Sequence, residues 1–207
     1  GIPLRTILVA HINRINRLAS FVPRIYNSFI RNQFTSSLLK KMMGFAPLRS
    51  IPVLHKTTLT RWYRKNYKRF SPVSPAKGRV YLFADEFTEY NDTETGIKAI
   101  KLISSLGYEV RIPRHLESGR AMLSKGLLRK ARKIAEKNIR LLIADITSDT
   151  PLVGIEPSCI LTFRDEYPQL VSEPYRNHAR QLAENALLLD EFIVREAQKG
   201  KISRDMF

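Results

Sequence analysis

The sequence predicts an α/β protein: a parallel sheet covered by helices over residues 77–207, preceded by a basic, mainly helical leader. Three observations predict it. From residue 77 onward, short strand-like runs alternate with segments of helical period, a pattern that gives a parallel sheet with helices on both faces. The charge is divided unevenly: residues 1–76 carry 14 Lys/Arg and no Asp or Glu, whereas residues 77–207 carry 21 Lys/Arg and 19 Asp/Glu. Nearly all of the net charge of +16 therefore lies in the first third. Finally, 207 residues that are 43% hydrophobic and 26% charged suffice for one α/β domain with an attached helical segment.

In the leader, over residues 4–18, Leu4, Ile7, Leu8, Ile12, Ile15 and Leu18 fall at steps of mostly three and four, the period of one helical face. Pro23 interrupts the pattern. A second helix is expected over 24–31 and a third over 36–43, ended near Gly44. Residues 1–45 thus read as a basic helical connector. Residues 46–76 read as a linker, because Pro47, Pro52, Pro72 and Pro75 break them up. One basic-aromatic stretch, 61–69, interrupts that linker with Trp62, Tyr63 and Tyr67 among its charges.

In the domain, strands are expected at 80–84, 108–112, 141–146 and 152–155. Helices are expected over 95–106, closed by Gly107 in the C′ position, over 124–137, and over 174–199. A short helix or turn is expected over 158–167. In such sheets the functional loops leave the carboxyl ends of the strands. Three loops qualify: 85–91, 114–119 and 156–159.

Much known chemistry is excluded by motif. The sequence has no Gly-x-Gly-x-x-Gly, no phosphate-binding Walker loop and no His-Glu-x-x-His. His11, His55, His115 and His178 show no metal-ligand spacing, and solvated or core roles are expected for them. The single cysteine, Cys159, excludes an internal disulfide and suits a reducing, cytoplasmic compartment. One thiol cannot by itself assemble an all-cysteine cluster. No apolar run approaches the length of a membrane span, and Gly1 without an initiator Met suits a piece of a longer chain.

The loop residues carry a resemblance. Leu82-Phe83-Ala84-Asp85-Glu86-Phe87-Thr88-Glu89-Tyr90, Glu117-Ser118-Gly119-Arg120, Ser124-Lys125-Gly126-Leu127-Leu128 and above all the run from Gly154 to Tyr167 resemble the cysteine-rich CCG domain. That module occurs in heterodisulfide reductase subunits, glycolate oxidase iron–sulfur subunits and FAD-linked D-2-hydroxyacid dehydrogenases. The match covers residues 77–207. More weakly, the leader is similar to the connector after the ferredoxin-like part of those chains. The resemblance implies a parent oxidoreductase with FAD and a 4Fe-4S cluster, in which this region serves electron transfer or scaffolding. It also implies flavin and ferredoxin-like domains as partners, and a further half-module with more cysteines beyond residue 207. No cofactor is expected in the fragment itself.

The family's pattern places cysteines where this chain has Glu86, Glu117-Ser118-Gly119 and Glu156-Pro157-Ser158-Cys159; only Cys159 remains. Two readings follow: a degenerate, structural repeat, or Cys159 as one iron–sulfur ligand completed elsewhere. A helix start after Pro157 would lower the thiol pKa. The cleft candidates Glu86, Glu117 and Glu156 could hold a hard cation, but pairing with Arg114, Arg120 or Arg164 is favoured. Gly119–Gly126, with Arg120 and Lys125, could cradle an anion. Acidic residues near Tyr167 are read as helix-stabilising.

The acid-free leader opens two other readings. Its aromatic-basic stretch fits nucleic acid, although charge runs in linkers more often face solvent or a partner. Its amphipathic helix fits the inner face of an anionic membrane. Covering a neighbouring domain of the parent is preferred, which leaves apolar surface for dimerisation of the fragment.

Overall fold

The computed structural model describes residues 3–70 and 76–206. Pro72, Pro75, Gly1 and the side chain of Leu4, all named above, lie outside the described residues.

Four strands form one sheet: β1 (Gly78–Leu82), β2 (Tyr108–Arg111), β3 (Leu152–Gly154) and β4 (Ala186–Leu188). Their order is β2-β1-β3-β4 and every pairing is parallel. Parallel neighbours need crossovers, and helices supply them. Between β1 and β2 lie α6 (Glu86–Tyr90) and α7 (Thr93–Ser105); between β2 and β3 lie α8 (Arg120–Ser124) and α9 (Leu128–Leu142). Between β3 and β4 lie α10 (Pro157–Leu161), a π-helical turn over Thr162–Glu166, α11 (Tyr167–Leu170) and α12 (Arg176–Glu184); α13 (Leu189–Gln198) follows β4.

Strand residues alternate between two cores. Tyr81, Phe83 and Leu152 face one with Ile139, Phe163, Tyr167 and Leu182. Val80, Leu82 and Val153 face the other with Ile100, Ile103, Tyr108 and Phe192. The expected α/β architecture is therefore present. Gly107 has φ 94° just past α7, the left-handed backbone that glycine adopts freely. Gly154 answers a different need. A Cβ there would meet the Cβ of Ile160 at 2.4 Å, so α10 lies directly against β3.

Several expected elements differ. The run 141–146 is not a strand: α9 continues through Leu142, carrying Ala131, Ala135, Asn138, Ile139 and Leu142 along its buried face. The final helix expected over 174–199 is divided by β4. The loop expected at 85–91 is mostly α6, capped by Asp85, whose carboxylate accepts from the Phe87 and Thr88 amides. The stretch 61–69, read as linker, is largely α5 (Leu59–Asn66). Its Leu59 is wholly buried, Tyr63 Oη donates to the Val110 carbonyl at 2.9 Å, and Trp62 stacks on Phe70.

The leader consists of α1 (Leu4–Ala10), α2 (Ile12–Ala19), α3 (Pro23–Arg31) and α4 (Gln33–Met43). The single helix expected over 4–18 is broken at His11. Hydrogen bonds tie the leader to the rest of the chain. Asn16 Nδ2 donates to Asn91 Oδ1, Asn27 makes two hydrogen bonds with the Leu54 backbone, and Arg61 donates to the Ser20 carbonyl.

Candidate functional site

The carboxyl ends of β1, β2 and β3 open toward the same place. The segment after β1 brings Asp85 and Glu86, the segment after β2 brings Glu117–Arg120, and α10 brings Cys159. Glu86 joins all three. Its Oε1 accepts from the Ser118 amide at 3.0 Å and from Ser118 Oγ at 2.6 Å; its Oε2 accepts from Cys159 Sγ at 3.4 Å. Glu156 caps α10 by accepting from the Cys159 amide at 2.9 Å and from Ser158 Oγ at 2.6 Å. Ser118 Oγ also accepts from the Arg120 amide at 3.1 Å.

A second layer holds the loop after β2. Tyr167 Oη donates to the Ser118 carbonyl at 2.9 Å and accepts from Asn138 Nδ2 at 2.9 Å. Asn138 also donates to the Glu117 carbonyl and accepts from the Leu116 amide. Tyr167 and Asn138 are fully buried. Sequence reasoning did not single out Asn138. The signal for it was an amide on an otherwise apolar helical stripe, which needs partners when buried.

The electrostatics run against a reactive thiol. Burial pushes the Cys159 thiol well above its ordinary value, and the carboxylates of Glu86 and Asp85 push it further. The expected lowering by a helix start does not occur. The helix is short, the Cys159 amide at its start is taken by the Glu156 carboxylate, and the sulfur is buried. Burial also pushes the Glu86 carboxyl up to about 6, against the hydrogen bond from Ser118. Asp85 is raised by burial too, and its Oδ2 is buried without a hydrogen-bond partner.

The favoured pairing of the cleft carboxylates with Arg114, Arg120 or Arg164 is not found among the described residues. Arg120 pairs with Glu166 at 2.7 Å and Arg164 with Glu191 at 3.0 Å. These partners come from other elements, so sequence neighbourhood could not reveal them. Glu117 instead turns toward the leader, where Asn13 hydrogen-bonds it and Arg14 lies near; burial still raises its carboxyl. Gly119 and Gly126 have φ of 83° and 71°, but Arg120 reaches Glu166 instead of closing a cradle. His115 lies against Phe83, ring centroids 4.5 Å apart, with Nδ1 on the Leu116 carbonyl.

Among the described residues, no group of three or more His, Cys, Asp and Glu side chains could hold a metal ion. The cleft offers one protonated thiol, a serine and carboxylate oxygens. Soft thiolate sulfur is what iron–sulfur clusters require, so these residues do not fit such a cluster.

At the opposite end of the sheet a second acid is buried. Glu196 of α13, 3% exposed, accepts from Tyr108 Oη at 2.9 Å and Lys199 Nζ at 2.9 Å, with Arg195 at 3.2 Å and Lys201 at 3.5 Å. Hydrogen bonds from Lys199 and Tyr108 outweigh its burial and hold it below the ordinary carboxylate range. Sequence reasoning did not point to this end.

The chain is 28% identical over 176 residues to the D-2-hydroxyglutarate dehydrogenase of Escherichia coli K12, covering 83% of this chain and 17% of that protein. It is 28% identical over 207 residues to the enzyme of the same name from Pantoea ananatis, covering 97% of this chain and 20% of that protein. It is 22% identical over 200 residues to a subunit of the anaerobic glycerol-3-phosphate dehydrogenase of Escherichia coli K12, covering 96% of this chain and 49% of that subunit. No family profile matches the chain, and no solved structure matches it. The chain thus spans a minor part of the D-2-hydroxyglutarate dehydrogenases and about half of the glycerol-3-phosphate dehydrogenase subunit. Its relatives are dehydrogenases, in agreement with an oxidoreductase-like role.

Proposed function

We propose that this chain is a scaffold region of an FAD- and iron–sulfur-dependent oxidoreductase acting on a 2-hydroxy acid, and that it holds its own strand ends together without a cluster. The observation that carries this reading is the Glu86 carboxylate bonded to both Ser118 and Cys159. In the resembled module, cysteines occupy the strand-end positions that Glu86 and Ser118 occupy here. A carboxylate bonded to both neighbouring loops links them as a metal would, through hydrogen bonds, and it moves no electrons. Similarity to the D-2-hydroxyglutarate dehydrogenase of Pantoea ananatis over 97% of the chain supports the parent activity. Cys159 in this reading is a packed thiol, its proton directed at Glu86.

The test uses the native protein, purified through this chain. Reduction of an artificial electron acceptor is measured with D-2-hydroxyglutarate and with glycerol 3-phosphate, and iron and acid-labile sulfide are determined. Substrate-dependent reduction is expected, and Cys159→Ser is expected to keep both rate and iron. Loss of iron in that variant would make Cys159 a ligand and overturn the scaffold role. Reduction with neither substrate would overturn the parent activity.

A further inference from the structure

The leader's outer face plays no part in that scaffold role. On α3 and the turn before it, Phe21, Ile25 and Phe29 are 68%, 69% and 51% exposed; on α4, Phe34, Leu38 and Met42 are 79%, 52% and 72% exposed. Each set advances four residues at a time, so each is one row along a helical face. Asn32 joins the two helices directly and caps α4 through the Phe34 and Thr35 amides. Inner contacts through Asn16, Asn27 and Arg61 fix which side of the leader points inward, and they leave these rows in solvent. An apolar patch of this kind marks an interaction surface.

Charge says what covers it. Beside the row of Ile25 and Phe29, a groove is lined by Arg24, Asn27, Ser28, Arg31 and Asn32. The guanidiniums of Arg24 and Arg31 with the Ser28 hydroxyl form a setting for phosphate oxygens, while the Asn27 amide is held by the Leu54 backbone. No acid occurs anywhere in residues 1–76. A second copy of this face would bring like charges together. Nucleic acid would engage the groove but leave the apolar rows in water, and the Trp62 and Tyr63 rings that could stack on bases pack against the domain. An anionic bilayer satisfies both halves, taking aromatic and aliphatic side chains at the acyl boundary and arginines at the headgroups.

The geometry points to α3 and α4 as a docking face for an anionic phospholipid bilayer, with Ile25, Phe29, Phe34 and Leu38 entering it and Arg24 and Arg31 on lipid phosphate. Among the described residues no helix is long and apolar enough to cross a membrane, so the contact lies on the surface. A domain of the proposed parent seated on this face is the competing occupant, and the native protein distinguishes it from a bilayer.

The experiment is flotation of the native protein that contains this chain, beside the 207-residue chain itself, with vesicles of phosphatidylcholine alone and of equimolar phosphatidylcholine and phosphatidylglycerol. Flotation of the 207-residue chain but not of the native protein would place another part of the native protein on this face and overturn the proposal. Binding to the anionic vesicles is expected to be at least about tenfold tighter, on the order of the gain from two arginines near such a surface. Arg24→Gln with Arg31→Gln is expected to remove most of that difference. Ile25→Glu with Phe29→Glu is expected to abolish flotation while leaving the far-ultraviolet circular dichroism unchanged. Equal binding to both vesicles, or wild-type binding by the glutamate variant, would overturn the proposal. So would absence of flotation, and self-association that the glutamate variant disrupts would then make the face an interface between copies.

Discussion

Glu196 at one end of the sheet is buried and Glu86 at the other partly so, and the two are treated in opposite ways. At the amino ends of the strands, Glu196 is surrounded by Arg195, Lys199 and Lys201 and by the Tyr108 hydroxyl. At the carboxyl ends, Glu86 meets a serine and a thiol, with Asp85 nearby and no cation bonded to it among the described residues. One carboxylate is kept charged by its neighbours, the other is driven toward its protonated form. A buried charge is stable only when paired. The carboxyl end of the sheet therefore carries a cost that the amino end does not.

The largest effect should come from breaking the paired end. Glu196→Ala removes the acceptor of the fully buried Tyr108 hydroxyl and the partner of three cations. It should cost about 3 kcal/mol, discounted for cations that remain partly exposed. Urea unfolding at neutral pH reads it. A loss well below that would mean the two ends differ less than their geometry indicates.

The pH dependence of stability sharpens the contrast. Glu86 has a folded value of about 6, above the ordinary 4.5. Its contribution is fully present below 4.5 and lost as pH rises through 6. Glu196 lies below 4.5 when folded, so its contribution is present above 4.5 and lost as pH falls through the folded value. Glu86→Gln keeps an acceptor for Ser118 and removes the titration. It should flatten the stability profile between pH 4.5 and 6 by ~2 kcal/mol. Urea midpoints across that range would show it. An unchanged slope would mean that Glu86 is better solvated than its burial implies.

The smallest effect should come from the rim. Arg120→Ala breaks an ion pair whose partners are 44% and 35% exposed, and exposed pairs contribute about 0–1 kcal/mol. A loss in the thermal midpoint equal to that of Glu196→Ala would show that Arg120 supports the strand ends.

The parallel sheet was legible because β1 ends in a compact apolar run and β2 alternates buried Tyr108 and Val110 with charged Glu109 and Arg111, each beside helix signals. The carboxyl-end loops were legible by topology alone, and Glu86, Ser118 and Cys159 do meet there. Other parts were not. Leu141 and Leu142 continue a helical stripe, yet read locally as a strand, since a short apolar run fits both periods. Ala186–Leu188 is built of good helix formers and pairs only because β3 offers an edge; propensity yields to tertiary contact there. Arg164 has Asp165 beside it at 3.7 Å, but the closer partners, Glu166 for Arg120 and Glu191 for Arg164, come from the turn before α11 and from α13, separations no local pattern encodes. Helix α5 was hidden by the prolines and charges around it, although Thr58 carried a capping signal, its hydroxyl accepting from the Arg61 amide.

The contact between Gly154 and Ile160 has a consequence for how freely this molecule can vary. Where a helix rests on bare backbone, its position is set by the main chain. The helix that presents Cys159 to Glu86 is thus seated by backbone, and exchange of the thiol leaves that seat alone. A Cβ at Gly154 would push α10 outward and lift Cys159 away from Glu86, while the bonds between Glu86 and Ser118 stay in place.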